Sequence, residues 1–161
     1  MNSSWKCTSN NRPNFILGLS ETHLNDSWTD TSLQVKDFKT FHQDQVGGNG
    51  GGLLVYVPSH LLITRNTNLE VIGLESISLL QFKNSKPCLF TFVNRPPSVN
   101  ASYYDLMDYL LTLIDCTKYQ SVILGDFNIN IGQFSLWQQI YSTFSIAKLW
   151  ATDNRSDEAY F

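Results

Sequence analysis

Cysteine is scarce and scattered in this sequence: Cys7, Cys88 and Cys116 are odd in number, far apart and never in CxxC spacing. That excludes a disulfide framework and a cysteine-built zinc site, and it makes a reducing compartment, with no disulfide partner, the default. Positive charge is also short. With 11 Lys and Arg against 14 Asp and Glu, the formal net charge is −3. No overall field draws in a polyanion, so any nucleic-acid contact has to come from a local patch. Long apolar runs are missing as well. Nothing approaches the ~18 consecutive apolar residues of a membrane span, and Met1 to Asn14 are polar, without the apolar stretch of a secretory signal. These absences predict an intracellular protein, nuclear or cytoplasmic, that is neither secreted nor held in a membrane.

What is present is apolar and aromatic mass. Of 161 residues, 42% are hydrophobic and 13% aromatic, which gives one soluble domain a sizeable core and argues against disorder. Phe15-Ile-Leu-Gly-Leu19 is a short continuous apolar run that predicts a strand buried on both faces. It stops at Ser20-Glu21-Thr22-His23, so Glu21 falls just past the strand's end. From Asn25 to Asp44 the chain is polar with isolated aromatics. Gly47-Gly-Asn-Gly-Gly-Gly52 then reads as a flexible loop rather than a phosphate cradle, because it lacks both the Lys-Ser/Thr of a P-loop and GxGxxG spacing.

Leu53 to Val57, Leu61 to Thr64, Leu74 to Phe82 and Leu89 to Val93 predict strands of a meander, broken by Arg95-Pro96-Pro97-Ser98. Ser102-x-x-Asp105 resembles a capping box, and Leu106, Leu110, Leu113 and Ile114 recur at helical spacing, which predicts a helix over Tyr103 to Cys116. Ser121 to Leu124 returns to a buried strand, and Leu136, Ile140 and Phe144 suggest a further helix. The pattern is that of a layered α/β domain, an antiparallel or mixed sheet covered by helices, without the regular crossovers of a doubly wound sheet.

Chemistry-bearing side chains gather where buried strands emerge. Glu21, Asp126 and Asn128 all stand at such ends, where α/β proteins place ligands. Mg²⁺ takes oxygen ligands and usually only one or two carboxylates, a task Glu21 suits. Taken singly, Glu21 reads as a solvated acid, and Asp126 and Asn128 as turn formers. If the strand continues, Asp126 and Asn128 face the same way and can address one phosphate. His23, His42 and His60 read as solvated loop residues, and Trp28, Trp137 and Trp150 as packing side chains rather than base-stacking platforms.

Gly125-Asp126-Phe127-Asn128, following Val122-Ile-Leu124, resembles the GDFN signature of the endonuclease/exonuclease/phosphatase superfamily. Leu19-Ser20-Glu21-Thr22 is similar to that family's metal-binding Glu motif, and Gly50-Gly-Gly-Leu-Leu-Val-Tyr-Val57 to its glycine-rich strand entry. Arg95-Pro96-Pro97 and the helix with Tyr104-Asp105-Leu106 resemble the non-LTR retrotransposon branch. The resemblance divides the chain into a polar leader, 1–14, a partial domain, 15–149, and a tail, 150–161.

The resemblance implies a partial four-layer α/β sandwich, in which two mixed or antiparallel sheets are flanked by helices. It also implies Mg²⁺ or Mn²⁺ as cofactor, DNA as partner and phosphodiester hydrolysis as reaction. Glu21 would bind the metal, Asp126 would orient or deprotonate the attacking water, and Asn128 would hold the phosphate, with Asn94 and Arg95 as substrate contacts. A reverse transcriptase domain is expected in a longer gene product. Three departures qualify this. No Asn-ending strand precedes Phe15, since Asn10, Asn11 and Asn14 lie in the polar leader; Asn94 stands where the family has Tyr; and the family's closing Ser-Asp-His does not occur before Phe161. A truncated, impaired nuclease is therefore expected. The alternatives are a non-catalytic remnant and a phosphoesterase acting on inositol phosphates or other small phosphate esters.

Overall fold

The structure, a computed structural model, describes residues 15–44, 50–83, 86–95 and 102–128. Seven strands and one α-helix occur among them: β1 (Leu17–Ser20), β2 (Phe38–Gln43), β3 (Leu53–Pro58), β4 (Ile63–Arg65), β5 (Glu75–Lys83), β6 (Lys86–Asn94), α1 (Ser102–Thr117) and β7 (Gln120–Asp126). They build two sheets, a three-stranded one in the order β1-β3-β2 and a four-stranded one in the order β4-β5-β6-β7. All neighbours are antiparallel except β6 and β7. That pair is parallel because α1 carries the chain back across the sheet between them, as a parallel connection requires.

Side-chain alternation turns these two sheets and the helix into three layers. On β5, Ile77 and Leu79 face the first sheet together with Phe92 of β6, where they meet Leu53, Val55 and Val57 of β3. The alternate residues Leu80, Leu89, Val93 and Ile123 face the other way and take the apolar stripe of α1, formed by Tyr103, Met107, Leu110, Leu111 and Ile114. The four-stranded sheet is thus covered on both faces, which is why its strands carry near-continuous apolar runs. The outer face of the first sheet is covered instead by Leu24 and Leu33, packed on Leu54 and the half-buried Tyr56.

The layered α/β expectation is met at this level, and the helix over Tyr103 to Cys116 is found within one residue at each end. Three expectations need correction. A strand does form in this run, over Leu17–Ser20, yet Phe15, Leu17 and Leu19 are exposed rather than buried, and β1 is an edge strand bonded only to β3. β2 lies inside the stretch read as polar with isolated aromatics, where no strand is predicted. Its two phenylalanines, Phe38 and Phe41, are three apart and hide a period of two. The expected meander holds only for β4, β5 and β6, since β3 is the central strand of the other sheet. The expected helix containing Leu136, Ile140 and Phe144 lies outside the described residues, as do Trp137, Trp150, Pro96, Pro97 and the leader.

Among the described residues no helix is long and apolar enough to cross a membrane, and Cys88 and Cys116 are free thiols.

Candidate functional site

The site forms where the two sheets meet at one end. β1 leaves its ladder after Ser20, and the next residues turn sharply: Glu21 and His23 hold left-handed backbone, φ 53° and 52°, uncommon outside glycine. Two bonds fix that turn, Thr22 N to Gly52 O at 3.4 Å and His23 N to Gly51 O at 2.9 Å. The result aims the Glu21 carboxylate back at the entry to β3. There Oε2 accepts from Gly51 N at 3.0 Å.

Gly51 and Gly52 lie in the loop that the sequence predicts, just ahead of β3, and are buried. Gly50, Gly51 and Gly52 have φ of 105°, 114° and 88°, a region L side chains rarely enter. Space excludes side chains too. A Cβ on Gly51 would stand 2.4 Å from Oε1 of Glu75, and one on Gly50 3.1 Å from Oε2 of Glu21. The two carboxylates can approach this backbone because nothing projects from it.

Glu75, which sequence reasoning missed, opens β5 and is buried. Its Oε2 accepts from Gly52 N at 2.8 Å and from Asn94 Nδ2 at 2.7 Å. One cue existed: Glu75 is the one acid in the run Leu74 to Phe82. Across the sheet Glu75 pairs with Asn94, and Asn94 with Asp126. The three form a row on neighbouring strands spaced about 4.8 Å apart. They share the face that carries Ile77, Phe92 and Leu124 toward the first sheet.

Glu21 reaches that row from the opposing sheet: its Oε1 accepts from Asn94 Nδ2 at 3.0 Å, across 73 positions of sequence. Glu21 and Asp126 therefore lie at the same end of the two sheets, Asp126 beside Asn94 on the next strand and Glu21 bonded to Asn94 from the opposing sheet. The Asn94 amide is oriented by chemistry, since turning its oxygen toward two carboxylates would set acceptor against acceptor. Both amide hydrogens are thereby committed to Glu21 and Glu75. Among the described residues Oδ1 is left buried without a partner, on a residue with 0% exposure. The site's acceptors outnumber its donors. Among the described residues, neither Glu21 nor Glu75 forms an ion pair.

At the end of β7 the condition for Asp126 and Asn128 to share a face is not met. The strand stops at Asp126, Asn128 turns to φ 45°, and Asp126 Oδ1 accepts from Asn128 N at 3.0 Å. This is the turn-forming habit of Asp and Asn. The Asn128 amide points back and donates to Arg95 O at 2.8 Å, while the Arg95 guanidinium donates to Asn128 O. Arg95 also lies over the rings of Tyr103 and Tyr104, at 5.5 and 5.4 Å from their centroids. Among the described residues the Tyr103 hydroxyl has no hydrogen-bond partner. Burial pushes its ionisation well above the ordinary phenol range, against a smaller lowering by Arg95.

Of the histidines, His42 is not a solvated loop residue. It sits in β2, with Nδ1 2.7 Å from Asp44 and Nε2 2.9 Å from Asp30. His60 is exposed in the turn after β3, and His23 is exposed beside Gly50. Trp28 is half-exposed, at 49%. Among the described residues no three His, Cys, Asp or Glu side chains gather as a metal cage; the set here is two carboxylates and an amide oxygen.

No model of a known protein family matches this chain, and no curated protein matches it significantly either.

Proposed function

We propose that this chain is a partial metal-dependent phosphodiesterase domain of the endonuclease/exonuclease/phosphatase type, from the retroelement branch, with DNA as substrate and a partial four-layer sandwich as its fold. The observation that carries the reading is the meeting of Glu21 with the row Glu75, Asn94 and Asp126 at the open end of the two sheets. Residues from motifs far apart in sequence reach one another there, as a single phosphoester site needs.

The residues fit a hard cation. Glu21 is oriented by Gly51 N and Asn94, and the buried orphan Oδ1 of Asn94 is an acceptor in search of a positive or donating group. Glu21 would hold Mg²⁺ or Mn²⁺, which when bound supplies a Lewis acid that polarises a phosphoryl oxygen. Asp126, half-buried with one oxygen held by Asn128 N, is the group to accept a proton from the attacking water. Arg95, beside Asn128, brings positive charge to a chain that has little of it.

A second reading, a non-catalytic remnant that binds metal or nucleic acid weakly, is favoured by one observation. The donors that a phosphate would need are spent internally, since both Asn94 hydrogens go to carboxylates and the Asn128 amide bonds the Arg95 carbonyl.

Nicking of supercoiled DNA with Mg²⁺, Mn²⁺ or EDTA, with inositol phosphates offered in parallel, decides between them. The expected result is slow, cation-dependent nicking that falls by ~10²–10⁴ in Asp126→Ala. Cleavage that survives Asp126→Ala, or a preference for inositol phosphates, would overturn the assignment. Cation binding without cleavage would favour the remnant.

A further inference from the structure

The segment between β1 and β2 is anchored to the outer face of the three-stranded sheet at two points. Leu24 and Leu33 are buried there on Leu54 and Tyr56, and the Tyr56 hydroxyl donates to Leu33 O at 3.0 Å. Between the two leucines every residue from 25 to 32 is exposed. The turns of this stretch close on themselves, with Trp28 N bonded to Asn25 O and Ser32 N to Thr29 O. Asp30 reaches out of it to β2, where its Oδ1 lies 2.9 Å from His42 Nε2. On the other side of the same ring, Nδ1 lies 2.7 Å from Asp44 Oδ1.

An ionised carboxylate only accepts hydrogen bonds, so both ring nitrogens must donate, and an imidazole does that only as the cation. When the ring is neutral, one nitrogen turns a lone pair toward an acceptor and that contact is lost. Tethering decides which. Asp44 follows His42 by two residues and is half-buried, whereas Asp30 belongs to another segment and its side chain is 92% exposed. Water replaces the Asp30 contact without disturbing the core.

We propose that His42 is a pH-operated clasp on residues 25–32, closed onto Asp30 while the ring carries both protons and released at Asp30 when one is lost. The leucine anchors stay in place, so the exposed turn that carries Trp28 is alternately tied to β2 and free. The groups around His42 leave this control to the two acids. β3 sets the uncharged Leu54 opposite it. From β4, Arg65 donates to the His42 carbonyl oxygen at 2.9 Å, but its guanidinium is held by both oxygens of Glu70, at 2.8 and 2.9 Å. On β2 itself, Lys39 donates to Leu61 O at 3.1 Å. The Asp30 bond outweighs partial burial and, with Asp44, raises the ionisation of His42 above 6.5. The clasp is therefore closed in mildly acidic solution and opens as pH climbs through the raised value.

Amide hydrogen exchange followed by NMR, with each rate divided by its intrinsic value at that pH, tests the clasp; the ring nitrogen shifts report the protonation of His42. Protection of the Trp28 and Ser32 amides is expected to fall by ~2–5-fold as His42 titrates, the scale of an exposed ion pair. The amides of β3 should keep theirs. Asp30→Ala, a change at an exposed position, should show the low protection at every pH and titrate His42 at a lower pH. Asp26→Asn removes the same charge from the same exposed stretch and should behave as wild type. Protection that stays constant while His42 titrates would overturn the proposal. So would a pH dependence that persists undiminished in Asp30→Ala, or one that disappears equally in Asp26→Asn.

Discussion

Single positions here are decided by backbone space and by charge. Gly125, inside the GDFN stretch, has φ 145°, and a Cβ on it would fall 1.7 Å from the Val93 carbonyl oxygen on the neighbouring strand. Gly125→Ala is therefore expected to cost on the order of 3 kcal/mol or more, read as a lower urea midpoint by far-UV circular dichroism, before any effect on Asp126 arises. His42 supplies a pH dependence. Its hydrogen bond to Asp30, outweighing partial burial and aided by Asp44, raises its ionisation above the ordinary value of 6.5. A raised folded value means the stabilisation is full below the unfolded value and lost as pH climbs through the folded one. Wild-type protein should thus lose urea resistance on moving from mildly acidic to mildly alkaline buffer, and His42→Gln should lose less over the same interval. Equal slopes for the two proteins would show that the Asp30 contact contributes nothing in solution.

At the scale of elements, α1 and the parallel pair β6 and β7 form one unit. The helix exists because its apolar residues fall on one stripe, and that stripe fills the sheet face bearing Leu89, Val93 and Ile123. Leu110 is its centre, with no exposed surface, so Leu110→Ala is expected to cost about 2–5 kcal/mol. Thr112, exposed on the same helix, should cost under about 0.5 kcal/mol when changed to Ala. Chemical denaturation of both variants checks the contrast. The helix was legible in the sequence because its period of 3.6 is uninterrupted and Ser102 opens it. β2 was not, because its two aromatics do not alternate and its pairing with β3 is a long-range event that no local pattern records.

At the scale of the whole molecule, the candidate site exists only where two sheets touch, and Gly18 sets how closely they do. A Cβ there would stand 2.4 Å from the Phe92 ring, so Gly18→Val is expected to push β1 off β6 and to separate Glu21 from Asn94. Its effect on Mg²⁺-dependent thermal stabilisation should exceed that of Leu110→Ala, which weakens the fold on the far face of the sheet; a smaller effect would mean that Glu21 is placed by the glycine turn alone. Runs of apolar residues, a capped amphipathic helix and polar side chains at strand ends were written in the sequence, because each is a local pattern with a fixed period. It also pointed to Glu21, Asp126 and Asn128 as residues to watch. Which strands share a sheet, that Glu75 joins Glu21, and that Asn94 spends its donors on both acids were decided by tertiary structure. Those contacts span up to 73 positions and depend on which face of each strand the packing turned inward, something a chain read one residue at a time does not state.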